Sequence, residues 1–156
     1  MPIRVLLFAV LFALLATQTP ACTIPAEVQT LRGAVLAGVN AERARVGIAA
    51  LGSAPALDMA AQNHACDIAR QQRLSHGSGL FSSLRGRLRR AGYAFSMANE
   101  NLAAGQTSPE QVMRSWMGSP GHRSNILAAP ARELGVGVAV GADGQLYWVT
   151  IGAAPR

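Results

Sequence analysis

Apolar positions along this chain recur at helical spacing in its first part and alternate or run together near its end. Over residues 25–46, Val28, Leu31, Val35, Leu36 and Val39 return every three or four positions, which predicts an amphipathic helix. Pro25 suits its first turn and Gly47 ends it. Residues 48–55 read as a loop. A second helix is predicted over residues 56–73, with Leu57, Ala60, Ala61, His64, Ile68 and Leu74 sharing faces. Ser75-His76-Gly-Ser-Gly79 interrupts the pattern. A third, basic helix follows over residues 80–91 and stops at Gly92. Residues 99–104 read as a short extended segment. Ser108-Pro109-Glu110-Gln111 carries the marks of a helix start: a capping serine, a proline at the first position and a glutamine able to close a capping box. That helix holds Val112, Trp116 and Met117 and ends at Gly118; Pro120-Gly121 reads as a turn, with His122 just past it. Residues 134–140 and 146–151 are apolar or alternating and flank Gly141-Ala-Asp-Gly144, the pattern of an antiparallel hairpin. Helices come first and strands cluster late, so the fold class is α+β.

Composition bounds what such a chain can be. Half of the 156 residues are apolar and 14% are charged, as expected of one folded globular domain. All the basic residues are arginine, and the formal net charge is +6. A basic balance favours anionic partners such as membrane surfaces or envelope polymers. Nucleic acid is not expected, because neither zinc-finger spacing nor an aromatic–basic stripe is present. The N-terminus opens with Met-Pro-Ile-Arg, runs apolar over residues 5–16 and ends in small residues at Thr19-Pro20-Ala21. This describes a secretory signal peptide over residues 1–21, cleaved near Ala21. The mature chain would then have an N-terminal segment, 22–34, leading into the first helix, and a domain over 35–156. The protein is expected to be exported, periplasmic or secreted, and monomeric. Two cysteines, Cys22 and Cys66, allow one intramolecular disulfide in an exported chain. The alternative is lipid anchoring at Cys22, which would leave Cys66 a buried free thiol; the residues before Cys22 fit a lipobox poorly.

The candidate chemistry centres on histidine. His64 lies mid-helix among apolar positions and reads as a structural, hydrogen-bonded residue. His76 and His122 each sit beside a break at a helix end, where a ring can bind metal or move a proton. Glu100 lies in Ala98-Asn-Glu-Asn-Leu102 at the start of the extended segment. A buried carboxylate is costly unless it is paired, and two imidazoles would supply partners.

Taken in order, several stretches carry a resemblance. They are Val39-Asn-Ala-Glu-Arg43, residues 57–69, Leu74-Ser-His76, Ala91-Gly-Tyr93, Asn99-Glu-Asn-Leu102, Trp116-Met-Gly-Ser-Pro-Gly-His-Arg-Ser-Asn-Ile-Leu127, Glu133-Leu-Gly-Val-Gly137 and Tyr147-Trp148. The chain resembles the CAP superfamily of cysteine-rich secretory, antigen 5 and pathogenesis-related 1 proteins, in its short bacterial SCP-domain branch. The resemblance implies a three-layered α-β-α sandwich around a central, mainly antiparallel sheet. It also implies a cleft in which His76, Glu100 and His122 meet, and a divalent cation, zinc among them, held by His76 and His122. Many relatives place a second glutamate soon after the first histidine; here no acid lies between His76 and Glu100, and Glu133 reads as an ordinary edge charge.

Three functions fit that resemblance. The first is a binding module for a lipid, a sterol or a cell-envelope component, with weak metal binding and no required cofactor. Its basic helix, Arg85 to Arg90, would meet anionic headgroups in a peripheral membrane contact or simply be a solvated face. The second is a metal-assisted or His–Glu hydrolase, with His76, Glu100 and His122 as catalytic candidates. The third is a structural domain with a vestigial cleft. No Gly-x-Ser-x-Gly elbow and no His-Glu-x-x-His helix supports an enzyme. Trp116 is expected in the core and Asn125 in a local turn or cap.

Overall fold

The computed structural model describes residues 22–77 and 79–156. The signal peptide read over residues 1–21, with the lipobox context of Cys22, lies outside them. Among the described residues six helices and four strands follow one another: α1 (Val28–Arg45), β1 (Gly52–Ser53), α2 (Pro55–Gln71), α3 (Gly79–Ser82), α4 (Leu84–Arg90), β2 (Phe95–Ala104), α5 (Pro109–Gly118), α6 (Pro120–Ile126), β3 (Glu133–Val140) and β4 (Leu146–Pro155). The strands form one sheet in the order β1-β3-β4-β2. Only the two-residue β1 pairs in parallel; β3 with β4 and β4 with β2 are antiparallel.

Strand alternation sorts the core into two halves. Leu102, Tyr147, Val149, Ile151 and Ala153 face one way and pack on Leu57, Ala61, Ile68 and Leu88 of α2 and α4. Ala103, Val136, Val138 and Trp148 face the other way and pack on Val35, Val39, Val112, Trp116 and Ile126 of α1, α5 and α6. Helices therefore cover both faces, giving the three-layered sandwich. With few aromatics available, close approach does much of the packing. Gly135 and Gly137 let α2 lie directly on β3: a Cβ at either position would come within 2.1–2.3 Å of the Leu57 or Ala61 backbone.

The motif around Arg43 works as a staple. Its guanidinium is fully buried and donates to the carbonyls of Ala49, Ile126, Ala128 and Ala131. Asn40 closes the neighbouring loop, donating to Leu51 O at 3.0 Å and accepting from Leu51 N at 2.8 Å. Cys22 and Cys66 form the disulfide, pinning the segment before α1 to α2. Beside it, Thr23 bridges Val140.

Several boundaries differ from the pattern-based expectation. Pro25 precedes α1 rather than opening it, and its carbonyl accepts from Val28 N. The basic helix is two helices, because Ser83 leaves α3 in extended backbone and caps α4 by accepting from Gly86 N. Gln111 reaches Thr107 N rather than closing its box on Ser108, whose hydroxyl accepts from Gln111 N as a cap should. The strand holding Glu100 is longer than 99–104, running from Phe95. The Pro120-Gly121 turn is the first turn of α6, which puts His122 on a helix.

Candidate functional site

β2 is an edge strand, and its alternation splits Asn99-Glu100-Asn101 between the two helical layers. Glu100 turns toward α2 and α4. Only 6% of it is exposed, yet it is well supplied with partners. Arg87 Nη2 of α4 donates to Oε2, and His76 Nδ1 lies 2.8 Å from Oε1. His64 Nε2 of α2 lies 3.8 Å from the same Oε1. Arg87 is itself buried and also donates to the carbonyls of His76 and Ser82. It thereby fixes the loop that delivers His76 while neutralising Glu100. A buried carboxylate keeps its charge only with such a partner.

His64 bonds to the Ser75 backbone, and its Nε2 has no hydrogen-bond partner among the described residues. Burial holds its pKa below the usual imidazole value, against the opposing pull of Glu100 and with a further push down from Arg87. His64 is therefore neutral at neutral pH.

Asn99 and Asn101 turn the other way, toward α6. Asn99 Nδ2 donates to Asn125 O at 3.0 Å, and Asn101 Nδ2 donates to His122 O at 3.0 Å. Asn125 answers by donating to Glu100 O and to Asn101 Oδ1. Gly152, opposite Asn99 on β4, leaves room for this network, since a Cβ there would meet Asn99 Oδ1 at 2.8 Å. The network hangs α6 on β2 and so sets where the His122 ring lies. That ring is half-buried, and its buried Nδ1 has no hydrogen-bond partner among the described residues. Burial, and after it the charge of His76, push its pKa down.

His76 and Glu100 are joined directly, and His122 reaches the same edge through its backbone rather than through a bond to Glu100. Two participants differ from expectation. His64 lies within the Glu100 cluster, not merely in the core. Arg87 is no solvated face: it lies with Leu84 and Leu88 at positions i, i+3 and i+4, the apolar side of α4, and that spacing is the signal that could have revealed it. Glu133 is not a bare edge charge, because Tyr93 Oη donates to its Oε2. It lies opposite Ala153 of β4, which in turn pairs with Ala98 of β2, and is already engaged. Asn125 is a cross-layer tie rather than a local cap. Trp116 is fully buried, with Nε1 donating to Leu102 O. Among the described residues no group of three or more His, Cys, Asp or Glu side chains converges to hold a metal ion.

A concavity lies between α1 and α5. It has a volume of about 440 Å³, with Ala34, Gly38, Ala41, Met113 and Met117 among its lining. Glu42, Arg45, Glu110 and Arg114 supply polar edges.

A sandwich of this topology is the fold of a known family. Residues 36–151 match the model of CAP, the cysteine-rich secretory protein family, and the chain belongs to that family. The uncharacterized protein YkwD of Bacillus subtilis is 33% identical over 113 residues, covering 72% of this chain and 44% of that protein. The uncharacterized membrane protein YlbC of the same organism is 31% identical over 99 residues, covering 64% of this chain and 29% of that protein. The chain thus spans less than half the length of either relative. Among solved structures, an extracellular SCP-domain protein from Bacillus anthracis superposes with a TM-score of 0.72 at 25% identity, covering 81% of this chain and 41% of that one. An outer surface protein of Borrelia burgdorferi gives a TM-score of 0.75 at 17% identity over 87% of this chain and 99% of that one. Among the described residues no helix is long and apolar enough to cross a membrane.

Proposed function

We propose that this chain is an exported binding module, with an apolar groove between α1 and α5 for a lipid or sterol tail and a His76–His122 cleft that takes a divalent cation weakly. The observation that carries the reading is the state of Glu100. Both its carboxylate oxygens already face partners, Arg87 on one and His76 on the other. A general base must be free to reach a proton on its substrate. Glu100 instead positions His76, as a carboxylate does behind a metal-ligating ring. Export is supported by the signal-like residues 1–21, by the disulfide and by the extracellular protein of Bacillus anthracis. The disulfide also occupies the Cys22 sulfur that a lipid anchor would need.

The donor set fits a cation in part. His122 is held toward its neutral form, and neutral imidazole is the ligating species; its Nδ1 lacks a partner. His76 would be the other ligand, and a bound cation would supply Lewis acidity or a bridge to an anionic partner. Two rings leave the rest of the coordination sphere to water, which makes the binding weak. The groove between α1 and α5 lies within the range of about 300–1,000 Å³ usual for small-molecule sites. Gly38 forms part of it: a Cβ there meets Met113 Cγ at 3.0 Å, so a larger side chain fills it.

Three measurements test the reading. Displacement of a fluorescent fatty acid should occur with the parent chain and be lost in Gly38→Leu; equal displacement by both would remove the groove from the proposal. Zinc calorimetry should give weak heat that vanishes in His76→Ala and in His122→Ala. Hydrolysis of a peptide or ester library with zinc supplied, abolished by Glu100→Gln, would replace binding with catalysis.

A further inference from the structure

One part of the surface departs from ordinary solvated structure. Leu80 and Phe81 are 67% and 72% exposed, and they are adjacent in the four-residue α3. Soluble surfaces scatter large apolar side chains singly. These two are held in place rather than left loose. Gly86 lets α3 sit against α4, since a Cβ there would lie 2.2 Å from Leu80 O. Arg90 donates to Phe81 O, and Arg87 donates to Ser82 O. The result is a braced knuckle that points two apolar side chains outward.

Charge along the chain on either side of the knuckle has one sign, with Asp67, paired to Arg70, the acid that lines a neighbouring hollow with Ser82. Residues 68–99 contain six arginines and no acid. Arg87 turns inward to Glu100 and Arg70 pairs with Asp67, while Arg85, Arg89 and Arg90 lie exposed beside α3. Leu80, Phe81, Arg89 and Arg90 together line a shallow hollow of about 190 Å³. Arg85 is steadied by the Phe95 ring, its guanidinium carbon 5.8 Å from the centroid.

Apolar side chains rimmed by arginine match one kind of surface. An anionic bilayer offers phosphates at the depth of the guanidinium groups and hydrocarbon just below. A stable protein partner would need an interface of about 1,200 Å² or more, and two side chains fall well short of that. We propose that the α3–α4 knuckle seats this protein on an anionic lipid bilayer, with Leu80 and Phe81 entering the headgroup–acyl boundary and Arg85, Arg89 and Arg90 contacting lipid phosphates. Arg87 links the knuckle to the His76 loop, so the seated protein holds its cleft beside the lipid surface.

Co-sedimentation of the full chain with phosphatidylcholine vesicles, and with vesicles that also contain phosphatidylglycerol, tests this. The parent should sediment with the anionic vesicles only, and less so at high salt. Leu80→Ser with Phe81→Ser should lower the partition coefficient by roughly tenfold or more. Arg85→Ala with Arg89→Ala should weaken binding and flatten its salt dependence. Emission from Phe81→Trp should shift to the blue with anionic vesicles. The proposal is overturned if the parent ignores anionic vesicles, if it binds both vesicle types equally, or if the double serine variant binds like the parent. Self-association through Leu80 and Phe81 without vesicle binding, seen by sedimentation velocity, also overturns it. Fatty-acid displacement and zinc heat measured without vesicles should be unchanged in the double serine variant, so this surface and the proposed ligand sites fail separately.

Discussion

The two sides of β2 solve different problems with adjacent residues. Toward α2 and α4, Glu100 is a buried charge balanced by Arg87 and faced by His76 and His64. Toward α6, Asn99 and Asn101 form neutral amide bonds that carry no charge into the protein. The charged side depends on every partner being present, because an unpaired ion in low dielectric is expensive. The amide side is more forgiving and decides position: it fixes the α6 backbone and with it the His122 ring. A single strand edge thus separates electrostatic tuning from placement.

The sharpest way to break this comparison is to remove Arg87. Arg87→Met should cost about 3–5 kcal/mol in urea unfolding at neutral pH, because Glu100 is stranded. Adding Glu100→Leu should recover much of that loss. If Arg87→Met costs no more than a lost amide bond, the two sides do not differ as argued.

Asn101→Ala should cost less, about 1–3 kcal/mol, by orphaning the His122 carbonyl and Asn125. It should also weaken any zinc heat by about tenfold, as loss of a supporting contact commonly does. Unchanged metal binding would detach the amide side from the cleft.

The smallest effect is in pH. His64 is held neutral by burial, while Glu100 and Asp67 pull toward its charged form and Arg87 pushes against it. Its folded pKa lies below the unfolded value, so the unfolded chain takes the proton first. The associated stability is complete above about pH 6.5 and is lost as pH falls below that value toward the folded pKa. Urea midpoints between about pH 7.5 and about pH 5 should therefore decline, and His64→Gln should make the decline shallower. A residual slope from His122 should remain, since its shift has the same sign.

Much of the fold was legible because periodicity reports packing. The α1 stripe, the α5 start with its Ser108 cap and the Gly141 to Gly144 hairpin each follow from local rules. His76, Glu100 and His122 stood out through their motifs. What local rules missed was long-range pairing. His64 shares its spacing with core alanines, so nothing nearby distinguishes an imidazole facing a carboxylate from one filling space. Arg87 hides among Arg85, Arg89 and Arg90, and only its place between Leu84 and Leu88 gives it away. Pro120-Gly121 reads as a turn by composition, yet proline is equally at home in a first helical turn, and the contacts of Asn99 and Asn101 hold α6 in place.

The glycines of β3 bear on how this molecule can move. With Gly135 and Gly137 bringing α2 onto the strand backbone, helix and sheet have no compressible side-chain layer between them along that line. A helix so seated cannot slide without backbone collision, so α2 and the sheet form one stiff body that carries both His64 and Glu100. Slow breathing of the molecule must leave that pair in register and fall on connections such as the one bearing His76, where Gln72 and Gly77 already adopt left-handed backbone.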